Sequence, residues 1–210
     1  MDRRADGIHI GTRGWEFPDD RSGFYPEDLP GEWLLEYYTT QFHALELPPI
    51  GEVPDTGTVA LWEEETLEDA ALSLPLEGEW ARRLASGGDL RPLAEALEPL
   101  GDKLAAMVWP QKPPSGAAAF WPRTLHVDAA HGVITSAEPG TDGDPPGPVY
   151  RRLAGPGGHH PETLERLAAH LVERGRRGQA NFVFFTAVQG GDAILDALTL
   201  QEAVEINSRE

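Results

Sequence analysis

The sequence predicts an α/β protein with mostly parallel strands, an abbreviated (β/α) barrel with some crossover helices missing in the middle of the chain. Three observations predict it. Apolar strand-like runs alternate with amphipathic helical ones. The first strand–helix–strand unit, Ile8 to Leu47, has the spacing of a parallel crossover. The chain has 210 residues, close to the floor of roughly 200 residues for an eight-unit barrel and below the typical ~250.

The elements follow in order. Ile8-His9-Ile10-Gly11-Thr12 reads as a strand entering a Gly-rich turn. Pro30 and Gly31 open a helix over 32–42, with Trp33, Leu34, Tyr37, Tyr38 and Phe42 on its apolar face. Ala44 to Leu47 is a second strand, stopped by Pro48-Pro49, and Asp69 to Leu76 a third. Asp89 caps a helix through Leu100, with Pro92 in its first turn and Gly101 as its stop. Leu104 to Trp109 is the fourth strand. Val149 to Leu153 precedes the loop 154–160 and a helix from Pro161 to Arg174, ended by Gly175. Asn181 to Phe185 reads as an apolar strand. Gly190-Gly191 turns the chain, and Asp192 caps a last helix whose face carries Ile194, Leu195, Leu198 and Val204.

The middle breaks this alternation. Leu125–Asp128 and Val133–Ser136 both read as strands, but four residues cannot hold a parallel crossover. A hairpin turning at residues 129–132 is expected. Residues 123–148 should hold no helix of two turns or more.

Composition narrows the function. With 35 acidic and 17 basic residues the net charge is −18, so neither a phosphate backbone nor an anionic membrane is an expected partner. Cysteine is absent, which removes disulfides, Cys-ligated zinc, Fe–S clusters and thiol nucleophiles. The longest apolar run, Leu104 to Trp109, is far too short to span a membrane. The N-terminus has no apolar stretch of the signal-peptide kind, so a cytoplasmic protein is expected. Residues 1–100 hold 22 acidic and 7 basic side chains. Any anion site should therefore lie in the second half, near Arg151-Arg152 or Arg174, Arg176 and Arg177. The run Glu63-Glu64-Glu65 reads as a solvated helix face.

Several segments together resemble one family. The block from Ile8 to Leu47, with Gly11-Thr12-Arg13-Gly14-Trp15 and Phe24-Tyr25-Pro26, resembles the N-terminal block of the YecE-like proteins (domain of unknown function seventy-two). Residues 99–114, the strand Val149–Leu153 with Ala154-Gly155, and the stretch 182–200 resemble later family segments in order. The chain reads as a shortened and divergent member. The resemblance implies a TIM-type barrel.

The departures bear on function. The Ser of the family's first turn is Arg13, and the Asn that follows the retained Glu46 is Pro48. The third-strand Lys has no counterpart among Leu74-Pro75-Leu76. The fifth-strand E-F-R-H is Asp128-Ala129-Ala130-His131, the loop His is Ala154, and the paired Asn of the last strand are Thr186 and Ala187. Strand C-termini are where a barrel builds its chemistry, so the pattern fits a degenerate or reshaped site.

Candidate residues gather in three places. In the first turn, Thr12 and Arg13 could hold an anion and Trp15 could stack on a ring; the alternative is a structural turn whose Trp plugs the barrel mouth. The Gly-rich loops after the last two strands, with Gly155, Gly157, Gly158, Gly190 and Gly191, could offer backbone N–H groups to an anion, with charge added by Arg152. Equally, turns need glycine for its own sake. Glu46 is the one family-matched acid for catalysis. His126, Asp128 and His131, with His159 and His160, have metal-binding residue types, but a hairpin turn and a helix start favour the same residues. No metal and no cofactor is expected. There is no P-loop, no G-x-S-x-G, and only Lys103 and Lys112 as lysines.

The expected function is that of a YecE-like protein of unknown function: a non-catalytic or small-ligand-binding barrel with a degenerate site and a small anionic ligand. The alternative is a hydrolase acting on phosphate esters or sugars at the C-terminal face. A homo-oligomer covering the shortened barrel wall is the expected protein partner.

Overall fold

Parallel strands alternate with helices along the chain, the α/β, TIM-type organisation that the sequence predicts. A computed structural model describes residues 7–17, 23–139, 146–155, 158–187 and 192–209. The elements run β1 (Ile8–Arg13), a 3-10 turn (Gly31–Trp33), α1 (Leu34–Gln41), β2 (Ala44–Glu46), α2 (Thr56–Glu64), β3 (Ala71–Pro75), α3 (Gly78–Ala85), α4 (Arg91–Leu97) and a 3-10 segment (Glu98–Lys103). They continue as β4 (Leu104–Trp109), α5 (Ala117–Phe120), β5 (Leu125–Asp128), β6 (Val133–Ile134), β7 (Val149–Leu153), α6 (Pro161–Arg176), β8 (Asn181–Phe185) and α7 (Ala193–Ser208).

Contacts divide the chain into two compact units, Leu35–Val133 on one hand and Met1–Leu34 with Ile134–Glu210 on the other. In the first unit the strands lie in the order β5-β4-β3-β2, all parallel. Every residue of β3 is buried, and β4 leaves only Ala105 partly open. Strands covered on both faces read as continuous apolar runs, which is why these two are legible. Asp55 caps α2 by accepting from the Thr58 N–H at 3.0 Å. Lys103 closes the other end of α2, donating to the Glu63 and Thr66 carbonyls.

In the second unit β8 lies between β1 and β7, parallel to both. The register pairs Gly11 with Phe184 and Phe184 with Arg152; one step on, it pairs Thr12 with Phe185 and Phe185 with Leu153. Helices α6 and α7 pack on each other and on these strands. Leu164, Leu167, Ala168 and Leu171 form the buried stripe of α6, spaced as an apolar helix face should be.

The structure corrects several expectations. One helix stands where none was expected, α3; α2 holds Glu63 and Glu64, in keeping with the solvated helix face read there, and extends it back to Thr56. The crossover between β4 and β5 is the single turn α5. Residues 129–132 do turn, with the Gly132 N–H bonded to the Asp128 carbonyl at 2.7 Å. However, β6 takes its place beside β7 instead of returning along β5. Its two residues are too few to register a hairpin ladder. Among the described residues of 123–148 there is no helix. Helix α6 runs past Gly175 to Arg176. Trp33 and Leu195 are exposed and Val204 is only half-buried. On α7 the inward positions go to Ala193, Ile194, Asp196, Ala197 and Leu200.

Among the described residues no helix is long and apolar enough to cross a membrane.

Candidate functional site

Side chains alternate across a strand, and this sorts the candidates at the C-terminal ends of β1, β8 and β7. His9 stacks on Phe182 at 4.5 Å, so His9, Gly11 and Arg13 share the Phe182 and Phe184 face. Tyr150 packs against both phenylalanines, at 6.1 and 5.3 Å. Arg152 follows Tyr150 on the same side, its guanidinium 5.7 Å from the ring centroid. Two arginines from β1 and β7 therefore occupy one face at one end of the unit, with β8 between them. Arg151 points the other way: it is buried and donates through Nη1 to the Ser136 carbonyl at 2.7 Å. Tyr150, Phe182 and Phe184 are buried, so the aromatic residues are a floor beneath the arginines and not a stacking surface.

Thr12 is buried and points away from Arg13; its hydroxyl donates to the Gly14 carbonyl at 2.7 Å. That bond closes the first turn, where Gly14 adopts a positive φ of 74°. Trp15 is partly exposed, and its carbonyl accepts from the Tyr25 hydroxyl. This position is neither the buried plug nor the open stacking ring of the two sequence readings.

The loop after β7 is held on the opposite face. Asp196, in the first turn of α7, accepts from the His159 N–H and lies 2.7 Å from His159 Nδ1. Gly158 has a φ of +82°, and a Cβ there would come within 3.2 Å of Asp196 Oδ1. Gly155 lies under the His159 ring: a Cβ would meet Cε1 at 3.1 Å. These two glycines are required by close approach, and the carboxylate they admit comes from the chain itself. Gly157, Gly190 and Gly191 lie outside the described residues.

Glu46 belongs to the other unit, fully buried at the end of β2 in register with Ser73. The five metal-type residues are dispersed. His131 is exposed and bonded to Asp128 at 3.0 Å, and this bond holds the Asp128 carboxyl below its ordinary range. His126 accepts from the Trp109 indole N–H at 3.2 Å. His159 pairs with Asp196, and His160 sits at the N-cap of α6. Among the described residues no group of three His, Cys, Asp or Glu side chains could hold a metal ion.

Burial holds His126 below the ordinary histidine pKa of 6.5. The unfolded chain then binds its proton first as pH falls, so the unfolded state carries more protons and stability drops. The loss begins near the ordinary value and continues down to the folded-state pKa. Urea unfolding from about pH 7.5 to about 5.5, either side of the ordinary value, should show a shallower loss in His126→Gln than in the parent. Parallel pH profiles would remove His126 from that account.

Sequence reasoning missed Asp196, because an apolar face of Ile194, Leu195, Leu198 and Val204 gives the acid between them no role. It also left the choice between Arg151 and Arg152 open, because nothing local fixes which one shares a face with Phe184.

Comparison with known proteins adds the following. A family model described as "Protein of unknown function DUF72" matches residues 9–124. A DUF72 family protein from Thermotoga maritima has a crystal structure similar to this chain at a TM-score of 0.63 and 20% identity, covering 94% of this chain and 99% of that one. A DUF72 family protein from Enterococcus faecalis is similar at a TM-score of 0.62 and 13% identity, covering 94% and 95%. A second structure of an Enterococcus faecalis DUF72 protein gives 0.57 and 16%, covering 94% and 97%. No curated protein matches. At these identities the structural likeness speaks for the fold alone.

Proposed function

Because the chain belongs to the DUF72 family of proteins of unknown function, we propose a reading from its own residues: it binds a small anion at the C-terminal ends of β1, β8 and β7. The observation that carries this reading is the pair Arg13 and Arg152 on one face of that three-stranded sheet. Guanidinium groups suit carboxylate and phosphate because their forked donors match two oxygens at once. Gly11, two residues before Arg13, stands in the same register row as Arg152 and adds no side chain to that row. Trp15 follows Arg13 in the same turn, whereas the loop with Gly155 and Gly158 holds the Asp196 carboxylate on the opposite face.

On this reading the protein is a single domain, cytoplasmic, and a binder more than a catalyst. The polar groups that the family carries at strand ends are Pro48, Ala154, Thr186 and Ala187 here. Glu46 is the acid it retains at a strand terminus. No membrane or nucleic acid enters the reading, and a second copy of the chain is the protein partner it allows.

Inorganic phosphate and sulfate are the probes. A ligand at about 100 times its Kd stabilises by about 2.7 kcal/mol, enough for a thermal shift. Arg13→Ala should weaken phosphate binding by about 1.5–3 kcal/mol, the range of a charge-assisted hydrogen bond. Titration calorimetry decides it: equal affinity in the variant, or no binding by the parent at millimolar phosphate, would overturn the reading.

A further inference from the structure

The pair His159 and Asp196 lies apart from the arginine face. Phe185 packs against the His159 ring edge-on, with centroids 5.6 Å apart. It shares its strand face with Val183 and Asn181, and Asn181 is bonded to Arg174 of α6. The pair is thus on the side of β8 that the helices cover, at the C-terminal end of β7.

Side-chain exposure is 15% for His159 and 10% for Asp196. Asp196 Oδ2 lies 2.7 Å from Nδ1 and 3.0 Å from the His159 backbone N–H; Oδ1 is 3.1 Å from the same N–H. A carboxylate only accepts, so Nδ1 carries the proton and Nε2 is left as an acceptor. The ring rests close on Gly155, where a Cβ would come within 3.1 Å of Cε1 and press on it. Among the described residues Nε2 has no hydrogen-bond partner. The carboxylate thus fixes both tautomer and orientation, as it does when a histidine serves as a general base.

We infer that His159 Nε2 is a prepared proton acceptor at the β7 end, for a small ligand bearing a hydroxyl or an acid proton, and that Asp196 is its positioning residue. A loop staple alone would need the Asp196 bond to the His159 N–H. It would not need the second bond to Nδ1, which leaves Nε2 as the nitrogen without a partner among the described residues.

Two readouts test this on the folded chain. Long-range proton–nitrogen correlation on 15N-labelled protein at neutral pH should show His159 protonated at Nδ1 and bare at Nε2. Diethyl pyrocarbonate should then carbethoxylate Nε2, located by mass spectrometry of peptides. In that reaction Nε2 attacks a carbonyl carbon, the N–C bond forms as the C–O bond breaks, and ethyl carbonate leaves to become ethanol and carbon dioxide. The Nδ1 proton passes to solvent.

Asp196→Asn supplies the second arm. Both carboxylate oxygens lie on the His159 N–H, so either carboxamide orientation sets NH2 against that N–H, and one of the two also aims it at Nδ1. In that orientation Nδ1 must accept and the proton moves to Nε2. The fixed tautomer is then gone, and labelling of His159 should fall while that of the exposed His160 continues. A parent ring protonated at Nε2, a parent His159 that resists labelling in the folded protein, or equal labelling in Asp196→Asn would each overturn the inference. The parent measurements decide it even where the variant fails to fold. None of these readouts depends on phosphate binding at Arg13.

Discussion

Trp109→Ala is expected to lower the unfolding free energy by about 3–5 kcal/mol, the range for truncating a large aromatic in a core. Trp109 ends β4 and is wholly buried. Its neighbours in the sheet are β3 and β5, and its carbonyl accepts from the Ala129 N–H at 2.7 Å. The backbone on both sides is therefore fixed, and the space an indole leaves cannot close. The indole N–H is bonded to His126 Nδ1 at 3.2 Å, so the variant also leaves a half-buried imidazole without its donor. Trp109→Phe keeps most of the volume and loses only that bond, which should cost about 1 kcal/mol. Urea unfolding followed by far-ultraviolet circular dichroism separates the two variants. An alanine variant within about 1 kcal/mol of the parent would show that the site collapses freely.

Trp109 also shows what made the fold legible. Its strand is an unbroken apolar run, and such a run means burial on both faces. The same holds for β8 after Asn181, and for β3 but for the small Ser73. Short helices were harder. The helix α2 has a proper cap in Asp55 with Thr58 three residues on, but buries only Val59 and Trp62. The helix α3 buries only Ala81 and Leu84. Two buried residues are too few to give a periodic signal above the surrounding charge. The strand pair β5 and β6 was misjudged because chain separation limits which strands can pair but does not choose between the remaining partners.

The site was legible in part. The order of strands in a barrel brings the last beside the first, so the approach of β1 and β8 followed from sequence. Alternation alone could not choose between Arg151 and Arg152. The aromatic partner of Tyr150 chooses, and that partner lies on β8. The bond between His159 and Asp196 joins residues 37 apart in the chain. Asp196 was hidden because a helix face read as Leu195 and Leu198 left it no role, whereas Leu195 is in fact exposed.

Arg174 stands with Arg176 and Arg177 in a local cluster of cations in the sequence, but it is buried. Arg174→Met is expected to cost about 2–4 kcal/mol, since bonds to a charged donor contribute about 1.5–3 kcal/mol each and losses overlap. Arg174 sits in the last turns of α6, with Nε donating to Asn181 Oδ1 at 2.8 Å and Nη2 donating to the Gly147 carbonyl. It thereby ties α6 to the first residue of β8 and to the segment that enters β7. Asn181 is fully buried and commits its Nδ2 to the Gln179 carbonyl at 2.7 Å, so it cannot turn to find another donor. Methionine keeps the aliphatic stem of the side chain and much of its packing, so the loss reports the stranded acceptors, Asn181 Oδ1 and the Gly147 carbonyl among them. Lysine keeps the charge but not the fork, and one ammonium cannot occupy the positions of both Nε and Nη2. Arg174→Lys should therefore recover less than half of the loss. A double-mutant cycle with Asn181→Leu isolates the pair: the leucine removes the stranded acceptor, so the double variant should be more stable than the sum of the single losses predicts. Additive losses in that cycle, or a methionine variant as stable as the parent in urea, would mean that the guanidinium does not hold the two strand starts to the helix.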